Sequence, residues 1–131
     1  MVHEARTART VSEGILNMVE TMKKDYIISG VRFVDFGLGV NTSSLDEFLH
    51  GITIITGRKY AKVINNLGLM HFHRNVTAFV VMTDTDEKFR RGDILMAAGY
   101  ERAARNSARG NVLDGGYDIS WTGPRDTTKF L

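Results

Sequence analysis

Apolar residues Val11, Ile15, Met18, Val19 and Met22 recur at i, i+4, i+7, i+8 and i+11, the spacing of one helical face. Thr10 and Glu13 stand at capping-box spacing, where hydroxyl and carboxylate each satisfy a free backbone N–H, and Lys23 and Lys24 suit the negative end of a helix dipole. A helix from Val11 is predicted, preceded by a polar arm over residues 1–9. Tyr26 to Val40 is rich in β-branched and aromatic residues and broken by Gly30, Gly37 and Gly39, which predicts a bent strand. Turn residues 41–44 lead into a second capping-box pair, Ser44 and Glu47, and a short helix ending near Gly51.

Ile52 to Thr56 is five β-branched residues in a row, which restrict helical rotamers and predict a strand. Tyr60, Val63, Ile64 and Leu67 return to helical spacing before Gly68, so a helix is expected there. Met70 to Thr83 reads as one long strand or two short ones broken near Asn75, followed by an acidic turn over Asp84 to Glu87. Ile94 to Ala98 predicts a strand entered through Arg91-Gly92-Asp93, Tyr100 to Arg109 a helix stopped by Gly110, and Tyr117 to Trp121 a last strand before an irregular tail, 122–131. Helices interspersed with consecutive strands imply an α+β fold, a mixed or mainly antiparallel sheet with helices packed on one face. Residues 1–131 are expected to form a single domain.

Composition narrows the chemistry. Of the 131 residues, 43% are hydrophobic and 24% charged, an ordinary globular mix. Seventeen basic against fifteen acidic side chains leave a net charge of +2, too small for a polyelectrolyte binder over the whole surface. The chain has no cysteine, which excludes disulfides, thiolate zinc sites and a cysteine nucleophile. No apolar run approaches the roughly 20 residues that span a bilayer, so a cytoplasmic protein without a membrane partner is expected.

Four sets of residues carry candidate chemistry. His71 and His73 flank Phe72 and would share one face of a strand, the beginning of a metal site that still needs a third ligand such as Asp84, Asp86, Glu47 or His50. Thr56-Gly57-Arg58-Lys59 lies between a predicted strand and a predicted helix, where N–H groups and two cations could hold a phosphate or carboxylate. It lacks the glycine pattern and Lys-Ser/Thr ending of a nucleotide-binding loop. Arg102, Arg105 and Arg109 fall at i, i+3, i+7, three guanidinium groups on one helical stripe within a stretch, 88–110, of local charge +4. Nucleic acid or the acidic surface of a neighbouring subunit fits such a stripe. The tail ends in Phe130 and Leu131, which could fill a pocket on a neighbour.

No sequence motif completes a catalytic constellation, and no cofactor is implied. The leading expectation is a non-catalytic oligomeric structural or assembly subunit, a ring or shell component of a large complex such as a virion, partnered by its own copies and other protein subunits. The alternatives are a small-ligand or metal-binding enzyme using His71 and His73, and a nucleic-acid-binding protein using Arg102, Arg105 and Arg109.

Overall fold

A computed structural model describes residues 3–4, 7–35, 51–67, 73–120 and 122–124. In chain order the elements are β1 (His3–Glu4), α1 (Val11–Asp35), β2 (Ile52–Thr56), β3 (Tyr60–Leu67), β4 (His73–Val81), β5 (Ile94–Leu95), β6 (Ala97–Gly99), β7 (Arg102–Ala103), β8 (Asp118–Ser120) and β9 (Gly123–Pro124). The fold is α+β. Three antiparallel sheets, β2-β3-β4-β5, β1-β8-β9 and β6-β7, accompany one helix among the described residues.

Helix α1 starts where the capping pair places it: the Glu13 N–H donates to Thr10 Oγ1 at 3.1 Å. Its apolar stripe lies against one face of the large sheet, where Val11, Ile15, Met18, Val19 and Met22 meet Ala61, Val63, Ala78, Val80 and Ile94, with Val112, Tyr117 and Ile119 at the side. Burying side chains the size of Met18, Met22 and Ile15 stabilises by about 1.5–3 kcal/mol each, which is what holds a helix of this length in place. The strand expected from Tyr26 onward is instead a continuation of α1 to Asp35. Local β-propensity is worth less per residue than extending a helix already nucleated and packed. The short helix expected after Ser44 lies outside the described residues up to Gly51.

Two further expectations are corrected. Residues 60–67 are a strand, not a helix, paired antiparallel with both β2 and β4. Strand β3 is covered on both faces, with Ala61 and Val63 toward α1 and Lys62 the other way, and such a strand can mimic helical spacing. A register shift between Val63 and Ile64 leaves Thr77 as the extra residue of β4, and its hydroxyl donates to the Val63 carbonyl at 3.0 Å. Residues 100–109 are likewise not a helix. They form β7 and an extended segment whose Ala103 and Ala108 fill a second core with Phe79, Val81, Phe89 and Leu95, under Tyr60, Val76 and Ala97. Small side chains there serve a close approach of backbone to sheet rather than a helix–helix contact.

The described parts of both ends are tied together. His3 and Glu4, within the polar arm, pair with Ile119 and Asp118, and Pro124, within the tail, pairs with Ile119 from the other side. Gly123 adopts φ 121° and its Cβ position lies 2.7 Å from the Thr77 carbonyl oxygen, so only glycine lets this turn sit on β4. Asn111, itself buried, fastens the loop that α1 leans on: its amide donates to the Arg91 carbonyl and to Asp93 Oδ1, both at 2.9 Å, and its oxygen accepts from the Leu113 N–H at 2.8 Å. No helix among the described residues is long and apolar enough to cross a membrane.

Gly14 marks the closest approach of α1 to that loop, its Cβ position falling 2.5 Å from the Val112 carbonyl oxygen. Gly14→Ala is expected to lower stability, because overpacking against backbone costs about 1–3 kcal/mol and exceeds the helix-propensity gain of about 1 kcal/mol. Chemical denaturation of both chains measures the difference. Tyr117 is 5% exposed and its hydroxyl has no hydrogen-bond partner. Tyr117→Phe is expected to leave the unfolding midpoint unchanged or to raise stability by about 1 kcal/mol, since it removes a desolvated donor and keeps the ring.

Candidate functional site

The hairpin joining β2 to β3 places two cations in solvent. The Gly57 N–H donates to the Tyr60 carbonyl at 2.8 Å, closing the turn, and Arg58 and Lys59 stand exposed at its tip. This corrects the expectation of a strand-to-helix junction with free N–H groups. The turn spends the Gly57 donor on its own closure.

Across the sequence, Arg105 returns to the same place. Its guanidinium forks onto Asp86, with Nη1 to Oδ2 and Nη2 to Oδ1 both at 2.9 Å, while Nη1 also donates to the Tyr60 hydroxyl. The guanidinium carbon lies 4.9 Å from the centroid of the Phe89 ring, a cation–π contact that holds its plane. The Tyr60 ring meets Phe79 edge-on, at 5.7 Å between centroids, so the acceptor hydroxyl is fixed by the second core. The chain around Arg105 is pinned as well, because Lys88 Nζ donates to its carbonyl at 2.6 Å.

Asp86 is the centre of this arrangement. Its side chain is 1% exposed, and Oδ1 accepts the N–H of Lys88 at 2.8 Å and of Phe89 at 2.9 Å in addition to the Arg105 fork. The Arg105 hydrogen bonds, then the two backbone donors, hold its carboxyl far below the usual carboxylate range, and Asp86 in turn raises Arg105 above its ordinary value. Lys59 Nζ approaches the same carboxylate at 3.9 Å. Together Arg58, Lys59, Thr83, Thr85, Asp86, Glu87 and Arg105 line an open groove of about 460 Å³. The Thr83 and Thr85 hydroxyls on its wall are 2.8 Å apart.

Arg58, Lys59 and Arg105 thus share one groove although they are almost fifty residues apart in sequence. Arg102, Arg105 and Arg109 do not share a stripe. With no helix beneath them, Arg102 is exposed on β7, Arg105 lies in the groove and Arg109 is 6% exposed within the fold. Backbone alternation and bends, rather than a 3.6-residue period, decide where each points. His73 opens β4 opposite Leu67, while His71, Phe130, Leu131 and Trp121 lie outside the described residues. No group of three His, Asp or Glu side chains close enough to hold a metal ion occurs among the described residues.

No family model, curated protein or solved structure matches the chain. The turn character of Asp86 was visible in the sequence, but its partnership with Arg105, nineteen residues on, and with Tyr60 was not. No local pattern encodes a pairing across that separation.

The low proton affinity of Asp86 gives a pH dependence with a definite sign. The unfolded carboxyl titrates near pH 3.9, above the folded one, so the stabilisation is complete above about pH 4 and is lost as pH falls below it. Thermal melts from pH 6 to 2 are expected to show a steeper acid decline for the parent chain than for Asp86→Asn, which lacks the titrating group.

Proposed function

We propose that this chain is a non-catalytic oligomeric subunit, a ring or shell component of a large assembly such as a viral particle, formed in a cytoplasm. The observation that carries the reading is the exposure of large apolar side chains from ordered elements. Leu16 is 61% and Ile27 43% exposed on α1, Ile55 46% on β2 and Tyr100 39% beside β6. Leu16 and Ile27 are eleven residues apart, three helical turns, so they align on the outward side of α1 opposite its buried stripe. Single exposed apolar residues are ordinary on a protein surface, whereas aligned ones flanked by charge suit contact with another macromolecule.

The architecture supports the same role. Both described ends are sewn into the small β1-β8-β9 sheet, and two cores brace the large one from either face, giving a stiff body able to hold a surface in register. Other protein subunits are natural further partners.

Nucleic acid is the second reading, favoured by one observation: Arg58, Lys59 and Arg105 line a common groove. Its cations are partly offset by Asp86 and Glu87 in the same walls, which places it behind assembly. Binding through the groove would fall steeply with salt and weaken on neutralising Arg58 and Lys59.

Sedimentation velocity and native mass spectrometry from micromolar to near-millimolar protein test the leading reading. Species of more than one copy, growing with concentration, are expected. A strictly monomeric protein across that range, with no subunit partner, would overturn it.

A further inference from the structure

We propose that copies of this chain join head to tail, the outward stripe of α1 on one copy docking on the Ile55–Tyr100 surface of the next. The inference rests on the assembly reading and specifies its contact. It follows from two surfaces that differ from each other, complement each other in charge, and lie on opposite sides of the large sheet.

The first surface is the amino-terminal half of the α1 stripe. Positions 13, 16 and 20 point away from Val11, Ile15, Met18 and Met22, which are buried against the sheet. Exposed Leu16 is thereby flanked by exposed Glu13 and Glu20, an apolar centre with an acidic border.

The second surface lies on the opposite face. Along β4, Ala78 and Val80 face α1, whereas Phe79 and Val81 face the second core. Lys62 is the register partner of Phe79 and its Nζ lies 6.0 Å from that ring's centroid, which puts Lys62 on the face away from α1. Ile55 is the register partner of Lys62 on β2 and so shares that face. Lys62 Nζ also sits 4.4 Å from the centroid of the Tyr100 ring, which puts Tyr100 on the same face as Ile55. One turn of chain away, Arg58 and Lys59 project from the β2–β3 tip. This surface is an apolar centre bordered by Arg58, Lys59 and Lys62, the last of them paired with exposed Glu101 at 2.8 Å, so the cations that face a neighbour are chiefly Arg58 and Lys59.

An acidic border around Leu16 and a basic border beside Ile55 and Tyr100 attract each other and repel copies of themselves. Like-with-like pairing, which a two-fold dimer requires, sets Glu13 and Glu20 against their own kind. Unlike pairing leaves one surface unused on each end copy. Because the two surfaces flank the sheet from opposite sides, addition continues until a ring closes or a filament grows. Tyrosine, at the centre of the second surface, is one of the residue types enriched among those that dominate such contacts.

Sedimentation velocity of the full chain, of Leu16→Asp, of Tyr100→Asp and of their equimolar mixture tests this. The parent chain is expected to form species larger than a dimer, and each variant alone to associate at least about 30-fold more weakly, the loss typical of a dominant interface residue. Each variant keeps one intact surface, so the mixture is expected to form a one-to-one dimer and nothing larger. Circular dichroism verifies folding, and Leu16→Ser with Tyr100→Ser gives the same comparison should an aspartate variant fail to fold. Variants that assemble like the parent would overturn the proposed contact while leaving the assembly reading intact, as would a parent that stops at two copies or a mixture that stays monomeric. A parent that is monomeric at every concentration and takes no subunit partner would overturn both.

Discussion

The carboxyl-terminal half of strand β4 is buried on both faces, and the rest of the structure is arranged to keep it so. From Ala78 to Val81 no residue is more than 1% exposed. Alternation sends Ala78 and Val80 toward α1, where small side chains leave room for Met18 and Met22, and sends Phe79 and Val81 toward the second core. A strand with two dry faces must have a cover on each side. The helix supplies one, and the segment from Phe89 through Ala108 supplies the other, its alanines allowing it to lie close. The Asp86–Arg105 fork acts at the margin of this second cover, fastening residue 105 to the turn after β4 and to Tyr60 on β3.

The sequence is most legible where one face is buried and the other wet. Along Val11 to Met22 the period is clean because the outward positions, Ser12, Glu13, Leu16 and Glu20, are mostly polar, and the cap at Thr10 is local chemistry. The β-branched run at Ile52 to Thr56 and the strand near Ile94 were legible for the same reason of local preference. Residues 60–67 were not, because a strand packed on both sides loses its alternation, and Tyr60, Val63, Ile64 and Leu67 then imitate a helix by chance of spacing. Residues 26–35 misled in the opposite direction, since β-branched side chains disfavour a helix by only a few tenths of a kcal/mol each, too little to stop one already nucleated and packed over Val11 to Met22. The α+β class survived both errors because it depends on the mix of elements and the run of consecutive strands, not on any one of them.

The candidate site was half visible. Arg58, Lys59 and Arg105 were each identifiable as cations suited to anions, yet their convergence depends on the β2–β3 hairpin and the return of the chain across the second core. Such long-range pairings are set by topology and leave no periodic mark on the sequence.

The basic stretch from 88 to 110 also changes meaning once its partners are known. A local charge of +4 suggests a surface offered to an anion, but Arg90 pairs with Asp114, Arg91 with Asp84 and Arg105 with Asp86, and Arg109 is withdrawn into the fold. Intramolecular pairing absorbs most of that charge, because an arginine fork forms its best bonds with a carboxylate already held in place. Arg58 and Lys59, outside the basic stretch, are exposed on a hairpin tip beside exposed Ile55. Screening weakens exposed charges beyond about 8 Å at physiological salt, so these two act chiefly on whatever touches their own neighbourhood. That locality confines the reach of Arg58 and Lys59 to the surface around Ile55, and under the proposed contact their charge would select orientation more than supply affinity.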